Sequence, residues 1–256
     1  MKAEGRDFTL WHGDCVTVLK EMPSDSVHLT VTSPPYLSLF VYSDDERDMG
    51  NCRSDDEFWQ GFEFLIAQLL RVTKPGRWKD PLIEATRSKA LGLMHKQLMK
   101  DSAMCRAGLA QYLLAFRKPG DNPEPVPHED GLDMFYGEQP PASGNLSHER
   151  WRRYASPVWM DIDFTDTLNV SRARDNDDER HLCPMARGLI QRALHLWSNP
   201  GDLVLDPFSG VGSTGCAALE MPGLRRFVGV ELKRSYFDQA CANLRAVESR
   251  PRSLFG

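Results

Sequence analysis

The chain has 256 residues, 41% of them hydrophobic and 26% charged, which is typical of a globular protein with one large domain or two small ones. No apolar run is long enough to span a bilayer, and the net charge of −5 does not by itself indicate a nucleic-acid-binding protein. The six cysteines are scattered without a Cys-x-x-Cys pair, and the first residues lack the apolar stretch of a signal peptide. We therefore expect a reduced, cytoplasmic protein without a metal centre, since His181 and Cys183 could form only half of one.

Strands and helices are predicted to alternate in the N-terminal part of the chain. The apolar pattern predicts strands at 8–11 and 27–32 and helices at 16–22 and 57–72. Further on, residues 112–117 are predicted to form another strand.

The C-terminal part repeats this alternation. A helix is predicted at 184–197 with Pro184 in its first turn, followed by strands at 203–206 and 227–231 and a helix at 236–247. Strands that alternate with helices indicate a mostly parallel α/β sheet with right-handed crossovers. Residues 120–150 have little periodicity and are predicted to be a long loop or a small irregular insertion.

One junction does not fit this scheme. Lys74-Pro75-Gly76 ends a helix and should be followed by a strand, but the chain continues directly into Trp78-Lys79-Asp80-Pro81, which has the character of a strand's end. No apolar run lies between the two. We therefore predict that a segment of chain is absent near 76–78.

Polar and rigid residues end the strand predicted at 27–32. They are Ser33-Pro34-Pro35-Tyr36, called here the Ser-Pro-Pro-Tyr motif. On its own, this motif is as consistent with a simple turn after a strand as with a functional site.

A second motif follows the strand predicted at 203–206. Residues 206–215, called here the glycine loop, contain G-x-G-x-x-G, and Glu231 ends the next strand. Four residues, Asp206 to Ser209, precede the first glycine, which makes a wider loop than a dinucleotide-binding fingerprint has. A carboxylate at Glu231 suits the two hydroxyls of a ribose, although a plain strand–turn–helix remains the alternative.

Together the two motifs resemble those of the S-adenosylmethionine-dependent amino-methyltransferases of DNA. The family's catalytic motif is [Asp/Asn/Ser]-Pro-Pro-[Tyr/Phe/Trp] and its cofactor loop is Asp-Pro-Phe-x-Gly-x-Gly-[ST]-[ST], which residues 206–214 match throughout. The catalytic motif comes first, as in the β-type order of the family. The resemblance covers roughly 9–76 and 180–247, and residues 78–119 look similar to phage and prophage members.

This resemblance implies a Rossmann-like methyltransferase fold, with helices on both faces of the sheet and an irregular target-recognition insertion. The implied units are a catalytic half at 1–119, the insertion at 120–175 and a cofactor-binding half at 176–256. The implied cofactor is S-adenosyl-L-methionine. The implied catalytic residues are Ser33, Pro34, Pro35 and Tyr36. The implied cofactor-binding residues are Asp14, Asp206, Phe208, Gly210, Gly212, Ser213, Thr214 and Glu231.

The implied reaction is methyl transfer to an exocyclic amino group of a base flipped out of double-stranded DNA. Ser33 and the carbonyl of Pro34 would accept hydrogen bonds from the amino group, and Tyr36 would stack on the base. Serine before the prolines slightly favours cytosine N4 over adenine N6. His181 and Pro184 would close over the methionine part of the cofactor.

The basic middle of the chain would contact the DNA, and a homodimer and a companion restriction enzyme are left open. Phosphate contacts are expected from Arg87, Lys89, Lys96 and Lys100, and groove contacts from residues 150–154, whereas the acidic stretch 44–57 is expected outside the DNA channel. The alternatives are an RNA amino-methyltransferase, a catalytically inactive nucleic-acid- or cofactor-binding relic, and a dinucleotide oxidoreductase.

Overall fold

The computed structural model describes the chain in separate stretches. These are residues 1–36, 43–76, 83–86, 110–127, 146–170, 173 and 184–250. His181, Cys183 and the basic side chains of 87–106 lie outside the described residues.

Eight strands and six helices make up the described part of the chain. The strands are β1 (Lys2–Glu4), β2 (Phe8–His12), β3 (Leu29–Thr30), β4 (Ile83–Thr86), β5 (Ala110–Leu113), β6 (Val158–Trp159), β7 (Leu203–Asp206) and β8 (Arg226–Glu231). The helices are α1 (Cys15–Glu21), α2 (Asp55–Val72), α3 (Leu146–Tyr154), α4 (Arg187–Trp197), α5 (Ser213–Glu220) and α6 (Arg234–Glu248), with a 3-10 turn at Met49–Asn51. Among the described residues, no helix combines the length and apolar character needed to cross a lipid bilayer.

The main sheet has the strand order β1-β2-β8-β7-β3. Three of its pairings are parallel, namely β2 with β8, β8 with β7 and β7 with β3, while β1 runs antiparallel to β2. His12 lies opposite Glu231, so the carboxyl ends of β2 and β8 meet at one edge of the sheet. The parallel strands are therefore aligned so that the loops that follow them share one edge.

Helices cover both faces of this sheet, because neighbouring residues of each strand point to opposite sides. On one face, Val204 and Phe227 pack in the core that also holds residues of α4, α5 and α6. On the other face, Leu205 and Val230 pack with residues of α1 and α2. Helix α5 lies between α4 and α6.

A second, three-stranded sheet has the order β5-β4-β6. It is joined to the main core by Trp159, which is fully buried and packs in the same cluster as residues of α4. The guanidinium of Arg192 lies between the rings of Tyr154 (4.5 Å) and Trp159 (4.7 Å) and pairs with both carboxylate oxygens of Asp161. This contact fixes the position of α3 and β6 against α4.

Several elements differ from their predictions. Strands β1, β4 and β6 have no predicted counterpart, and the strand predicted at 27–32 is reduced to β3 (Leu29–Thr30). Helix α3 begins inside the stretch predicted to be irregular, because its nine residues include few apolar ones and give a weak helical pattern. The strand predicted at 112–117 is β5 (Ala110–Leu113) in the structure. It pairs antiparallel with all four residues of β4, and its last residue, Leu113, lies opposite Ile83. Pro184 precedes α4 instead of lying in its first turn.

Just before the predicted break, the chain pairs only briefly with the residues that lead into β3. Thr73 forms a parallel bridge with Val27, and the N–H of Lys74 donates to the carbonyl of Val27 at 2.8 Å. The N–H of Gly76 then donates to the carbonyl of Lys118 at 2.9 Å. Among the described residues, the main sheet ends at β3, and the second sheet is not paired to it. We expect the absent segment to belong at this edge of the main sheet.

Candidate active site

A cavity lies at the edge of the main sheet where β2, β3, β7 and β8 end. Eleven of the twelve residues predicted from the sequence line it, and the structure thus brings the Ser-Pro-Pro-Tyr motif and the glycine loop together. These eleven are Asp14, Ser33, Pro34, Pro35, Tyr36, Asp206, Phe208, Gly210, Ser213, Thr214 and Glu231. Gly212 does not belong to the described lining; it is the N-cap residue that precedes α5.

The Ser-Pro-Pro-Tyr motif is positioned by the strand before it. Val31 is buried and its N–H donates to the carbonyl of Leu205, which continues the pairing of β3 with β7. The hydroxyl of Thr32 donates to Oδ1 of Asp206 at 2.7 Å. The residue before the motif is therefore hydrogen-bonded to the first residue of the glycine loop.

Asp206 is a buried acid that connects loop and strand. Its Oδ1 also accepts the N–H of Phe208 at 3.1 Å. Burial raises the pKa of Asp206 to about 6, and the hydroxyls of Thr32 and Thr214 and the N–H of Phe208 oppose that rise. Asp206 therefore both stabilises the glycine loop through its hydrogen bonds and lines the cavity.

The glycine loop presents bare backbone to the cavity at Gly210. This residue has φ +53, a conformation that favours glycine, and a Cβ built on it would meet nothing within 4 Å. The open space above Gly210 is a cradle that a side chain would fill. Gly215, one turn into α5, instead packs tightly, since a Cβ there would lie 2.6 Å from the ring of Phe227.

Glu231 ties together the two loops that follow β7 and β8. Its Oε2 accepts the N–H of Gly210 at 2.7 Å, and its Oε1 accepts the N–H of Lys233 at 2.8 Å. Burial raises the pKa of Glu231 to about 8, and the two backbone hydrogen bonds oppose that rise. Each carboxylate oxygen retains a lone pair, so the group can accept further hydrogen bonds from a pair of hydroxyls.

Asp14 caps α1 with a single oxygen. Its Oδ1 accepts the N–H of Thr17 at 2.8 Å and the hydroxyl of Thr17 at 2.7 Å. It therefore has the structural role of a turn aspartate and at the same time lines the cavity. No hydrogen bond to its Oδ2 is found among the described residues.

Phe208 forms an apolar wall supported from behind. Its ring stacks on that of Phe62 with 6.3 Å between centroids and 12° between planes, and it packs with the cluster formed by α1 and α2. The flat side of Phe208 thus has a fixed position at the cavity.

Part of the cavity lining carries no signal in the sequence. Four such residues lie in the loop that follows the Ser-Pro-Pro-Tyr motif: Ser43, Arg47, Asp48 and Met49. Others are Met185, Lys233 and Tyr236. Pro184, which was expected here, also lines the cavity. None of these seven unpredicted residues belongs to a recognisable motif, so only the fold places them.

The predicted groove contacts at 150–154 divide into buried and exposed residues. Arg150 and Tyr154 are buried and cannot reach a DNA groove, whereas Trp151 is exposed and Arg153 pairs with Asp161 at 3.9 Å. The alternation follows from the helical geometry of α3, which turns two of these side chains into the core.

Another cluster of titratable groups lies at the opposite end of β7, away from the cavity. Nε2 of His28 is 3.5 Å from a carboxylate oxygen of Glu124 and of Asp202, while its Nδ1 accepts the N–H of Leu203 at 3.0 Å. Because Nδ1 accepts, the proton of a neutral imidazole is on Nε2 and faces the two carboxylates. Glu124 also pairs with Lys74 at 2.9 Å, so the geometry is that of an ion network.

Comparison with known proteins identifies related sequences and structures. The model of the N6/N4 family described as "DNA methylase" matches residues 107–242, more than half of the chain, although the Ser-Pro-Pro-Tyr motif lies outside that range. The type II methyltransferase M.XycI of Xanthomonas campestris pv. cyanopsidis is 27% identical over 289 residues, covering 95% of this chain and 90% of that protein. The alignment spans more positions than the 256 residues of this chain, so M.XycI has residues without a counterpart here.

Solved structures confirm the fold. A DNA modification methylase of Thermus thermophilus, TTHA0409, solved with S-adenosyl-L-methionine, has a TM-score of 0.59 at 22% identity, with 94% of this chain and 96% of that chain covered. The cytosine-N4-specific PvuII DNA methyltransferase has a TM-score of 0.62 at 14% identity, with 97% and 88% covered. The predicted Rossmann-like α/β fold is thereby confirmed.

Proposed function

We propose that this chain, which belongs to the N6/N4 DNA methylase family, transfers a methyl group to the exocyclic amino group of a base flipped out of double-stranded DNA. As a member of that family it is a DNA methyltransferase, and its cofactor is S-adenosyl-L-methionine. One observation carries the proposal. The Ser-Pro-Pro-Tyr motif and the glycine loop, which are 170 residues apart in sequence, line one cavity.

The cavity fits the nucleoside part of the cofactor. The open space above Gly210 admits a group that a side chain would block, and the buried carboxylate of Glu231 suits two ribose hydroxyls. We assign the adenine amino group to Asp14 and a face of the cofactor to Phe208. Asp206, Gly212, Ser213 and Thr214 hold the loop in shape, since they begin α5 or are buried beside it.

The Ser-Pro-Pro-Tyr motif acts on the target base. The sulfonium of the bound cofactor supplies an electrophilic methyl group. The Ser33 hydroxyl and the Pro34 carbonyl accept hydrogen bonds from the two amino N–H groups, which turns the nitrogen lone pair toward the methyl group. Pro35 fixes the backbone there, and Tyr36 stacks on the base. The transfer would be direct and in line, without a covalent intermediate: the N–C bond would form as the S–C bond breaks, S-adenosylhomocysteine would leave, and the amino nitrogen would release one proton to solvent.

The proposal also includes a choice of target base. We favour cytosine N4 slightly over adenine N6, because serine precedes the two prolines. The alternative functions are an RNA amino-methyltransferase and an inactive cofactor- or nucleic-acid-binding relic. The second would follow if the segment predicted to be absent near 76–78 is needed for activity.

We further propose a cytoplasmic role in restriction-modification, as the name of the type II methyltransferase M.XycI suggests. The division into a catalytic half (1–119), a target-recognition insertion (120–175) and a cofactor-binding half (176–256) belongs to the same proposal. The exposed Trp151 of α3 lies in the insertion and is available to a partner such as DNA. A homodimer would bring two such insertions to one DNA site.

The experiment that tests this function follows the methyl group. The protein is incubated with S-adenosylmethionine carrying a deuterated methyl group and either unmethylated DNA or, in a parallel reaction, RNA, and each nucleic acid is digested to nucleosides for mass spectrometry. We expect labelled N4-methylcytosine. Labelled N6-methyladenine would instead identify adenine as the target base. Label in RNA alone, or in no nucleic acid while the cofactor still binds, would overturn the proposal.

Three variants link the label to the motif. Ser33→Ala and Tyr36→Ala should lower the yield and Pro34→Ala should abolish it, while each variant still binds S-adenosylhomocysteine. Equal yields from all four proteins would show that the reaction occurs elsewhere.

A further inference from the structure

Residues 43–51 form a loop over one side of the cavity, called here the 43–51 loop. It follows the catalytic motif in sequence, but no family motif marks it. Arg47, Asp48 and Met49 line the same cavity as Asp14 and Glu231. The sequence alone predicted only an acidic stretch at 44–57, away from the DNA.

Asp48 gives the 43–51 loop a fixed shape. It is buried, and its two oxygens accept the Ser43 hydroxyl at 2.9 Å and the N–H of Gly50 at 2.9 Å. The side-chain amide of Asn51 donates to the carbonyls of Ser43 at 2.8 Å and Asp45 at 3.2 Å. The two ends of the loop are thereby held together, and the residues between them are presented as a unit.

Arg47 is held within this loop by Asp45. Its Nε and Nη2 donate to the two carboxylate oxygens at 2.9 and 2.6 Å. This fork–fork pairing leaves the flat face of the guanidinium and its Nη1 outside the pair. Arg47 also lies within electrostatic range of Asp14, and Asp45 within range of His12, so both are near the end of β2.

We propose that Arg47 and Met49 form the adenine-side wall of the cofactor pocket, with the guanidinium plane of Arg47 stacked on the purine. This inference rests on the proposed function. A guanidinium plane stacks on aromatic rings, and a thioether packs well against them. Because Asp45 neutralises the arginine, it is suited to stacking and poorly suited to binding an anion.

The position of the loop favours adenine over the methionine part of the cofactor. The methyl group must face the target base, which places the methionine part near residues 33–36. Asp14 and Glu231 are assigned to the nucleoside end, and Arg47 lines the same cavity within electrostatic range of Asp14. The loop thus covers the part of the ligand furthest from the reacting atoms.

Calorimetric binding of two ligands tests this inference. S-adenosylhomocysteine has the adenosine and the amino acid, whereas 5′-methylthioadenosine lacks the amino acid. Arg47→Ala should weaken both ligands by the same factor, about three- to thirty-fold. Arg53→Ala is the matched control, since it removes an exposed arginine six residues away that does not line the cavity and should leave both affinities unchanged.

Two further variants separate the contribution of stacking to ligand affinity from the contribution of charge. Arg47→Tyr keeps a flat face without charge and should retain more affinity than Arg47→Lys, which keeps the charge without the plane. The reverse order would overturn the inference, as would a loss confined to S-adenosylhomocysteine, which would place Arg47 at the ligand carboxylate. If the unaltered protein binds neither ligand, the proposed function itself fails, and this inference fails with it.

Discussion

The hydroxyl of Thr32 donates to the buried carboxylate of Asp206 at 2.7 Å and so joins the ends of two neighbouring parallel strands. One of these strands leads into the Ser-Pro-Pro-Tyr motif and the other into the glycine loop. The bond therefore sets the distance between the residues assigned to the target base and those assigned to the cofactor.

Removing the Thr32 hydroxyl should loosen this junction. Thr32→Val leaves a buried acid with one hydrogen bond fewer, and we expect a loss of about 1–3 kcal/mol in the free energy of unfolding, measured by urea denaturation. Thr30→Val is the matched control on the same strand, because the Thr30 hydroxyl is buried without a partner among the described residues. The control should be neutral or slightly stabilising, and equal losses for both variants would contradict the role of the Thr32–Asp206 bond.

The stability of the ligand-free protein should depend on pH through Glu231. Burial raises its pKa from 4.5 to about 8, so between these values the folded state binds more protons than the unfolded state. Stability should therefore fall as the pH rises through this window and level off above it, with Asp206 adding to the fall between 3.8 and about 6. Thermal denaturation across pH checks this, and Glu231→Gln should flatten the part of the curve above pH 6.

Cofactor binding should release protons in the same window. Ribose hydroxyls that donate to Glu231 favour its charged form and lower its pKa, because hydrogen bonds to a carboxylate stabilise it. Calorimetric titration with S-adenosylhomocysteine at pH 7 in two buffers of different ionisation enthalpy should give different apparent heats. Identical heats would mean that the ligand does not engage this carboxylate.

A side chain at Gly210 should obstruct the pocket. Gly210→Ala places a methyl group in the open space of the cavity and also strains a residue at φ +53, at a cost of about 1–2 kcal/mol. We expect the affinity for S-adenosylhomocysteine to fall by at least about tenfold, which corresponds to about 1.4 kcal/mol. Gly201→Ala, at φ +78 and outside the cavity, should show the strain alone and bind the ligand normally.

The ring of Tyr36 should matter for DNA and not for the cofactor. Stacking of a base on an aromatic ring contributes about 1–3 kcal/mol, so Tyr36→Ala should lower kcat/KM for DNA by about five- to 150-fold. Tyr36→Phe keeps the ring and should retain most of the activity. If the phenylalanine variant is as impaired as the alanine variant, then the hydroxyl, and not stacking, is what Tyr36 provides.

The motifs made the centre of the site predictable from sequence. Consecutive polar or glycine residues after β-type runs placed residues 33–36 and 206–215 at the ends of strands, and in a parallel sheet those ends share one edge. Eleven of the twelve residues predicted for the site accordingly meet in one cavity. Whether they have the roles assigned to them stays a prediction.

Other parts could not be predicted, for identifiable reasons. Arg47 and Met49 reach the cavity through a loop whose shape depends on Asp48, and no local pattern announces such a side-chain-held loop. Helix α3 is stabilised by burying Arg150 and Tyr154, residues whose charge or polarity suggested exposure. The stacking of Arg192 between two rings likewise depends on tertiary contacts alone.

Hydrogen exchange with and without S-adenosylhomocysteine shows where the ligand binds. We expect slower exchange of backbone amides in three separate segments, the glycine loop, the 43–51 loop and residues 231–233, with the second sheet unchanged. Saturating ligand that binds without slowing exchange in the glycine loop or at 231–233 would contradict the assignment of this cavity to the cofactor.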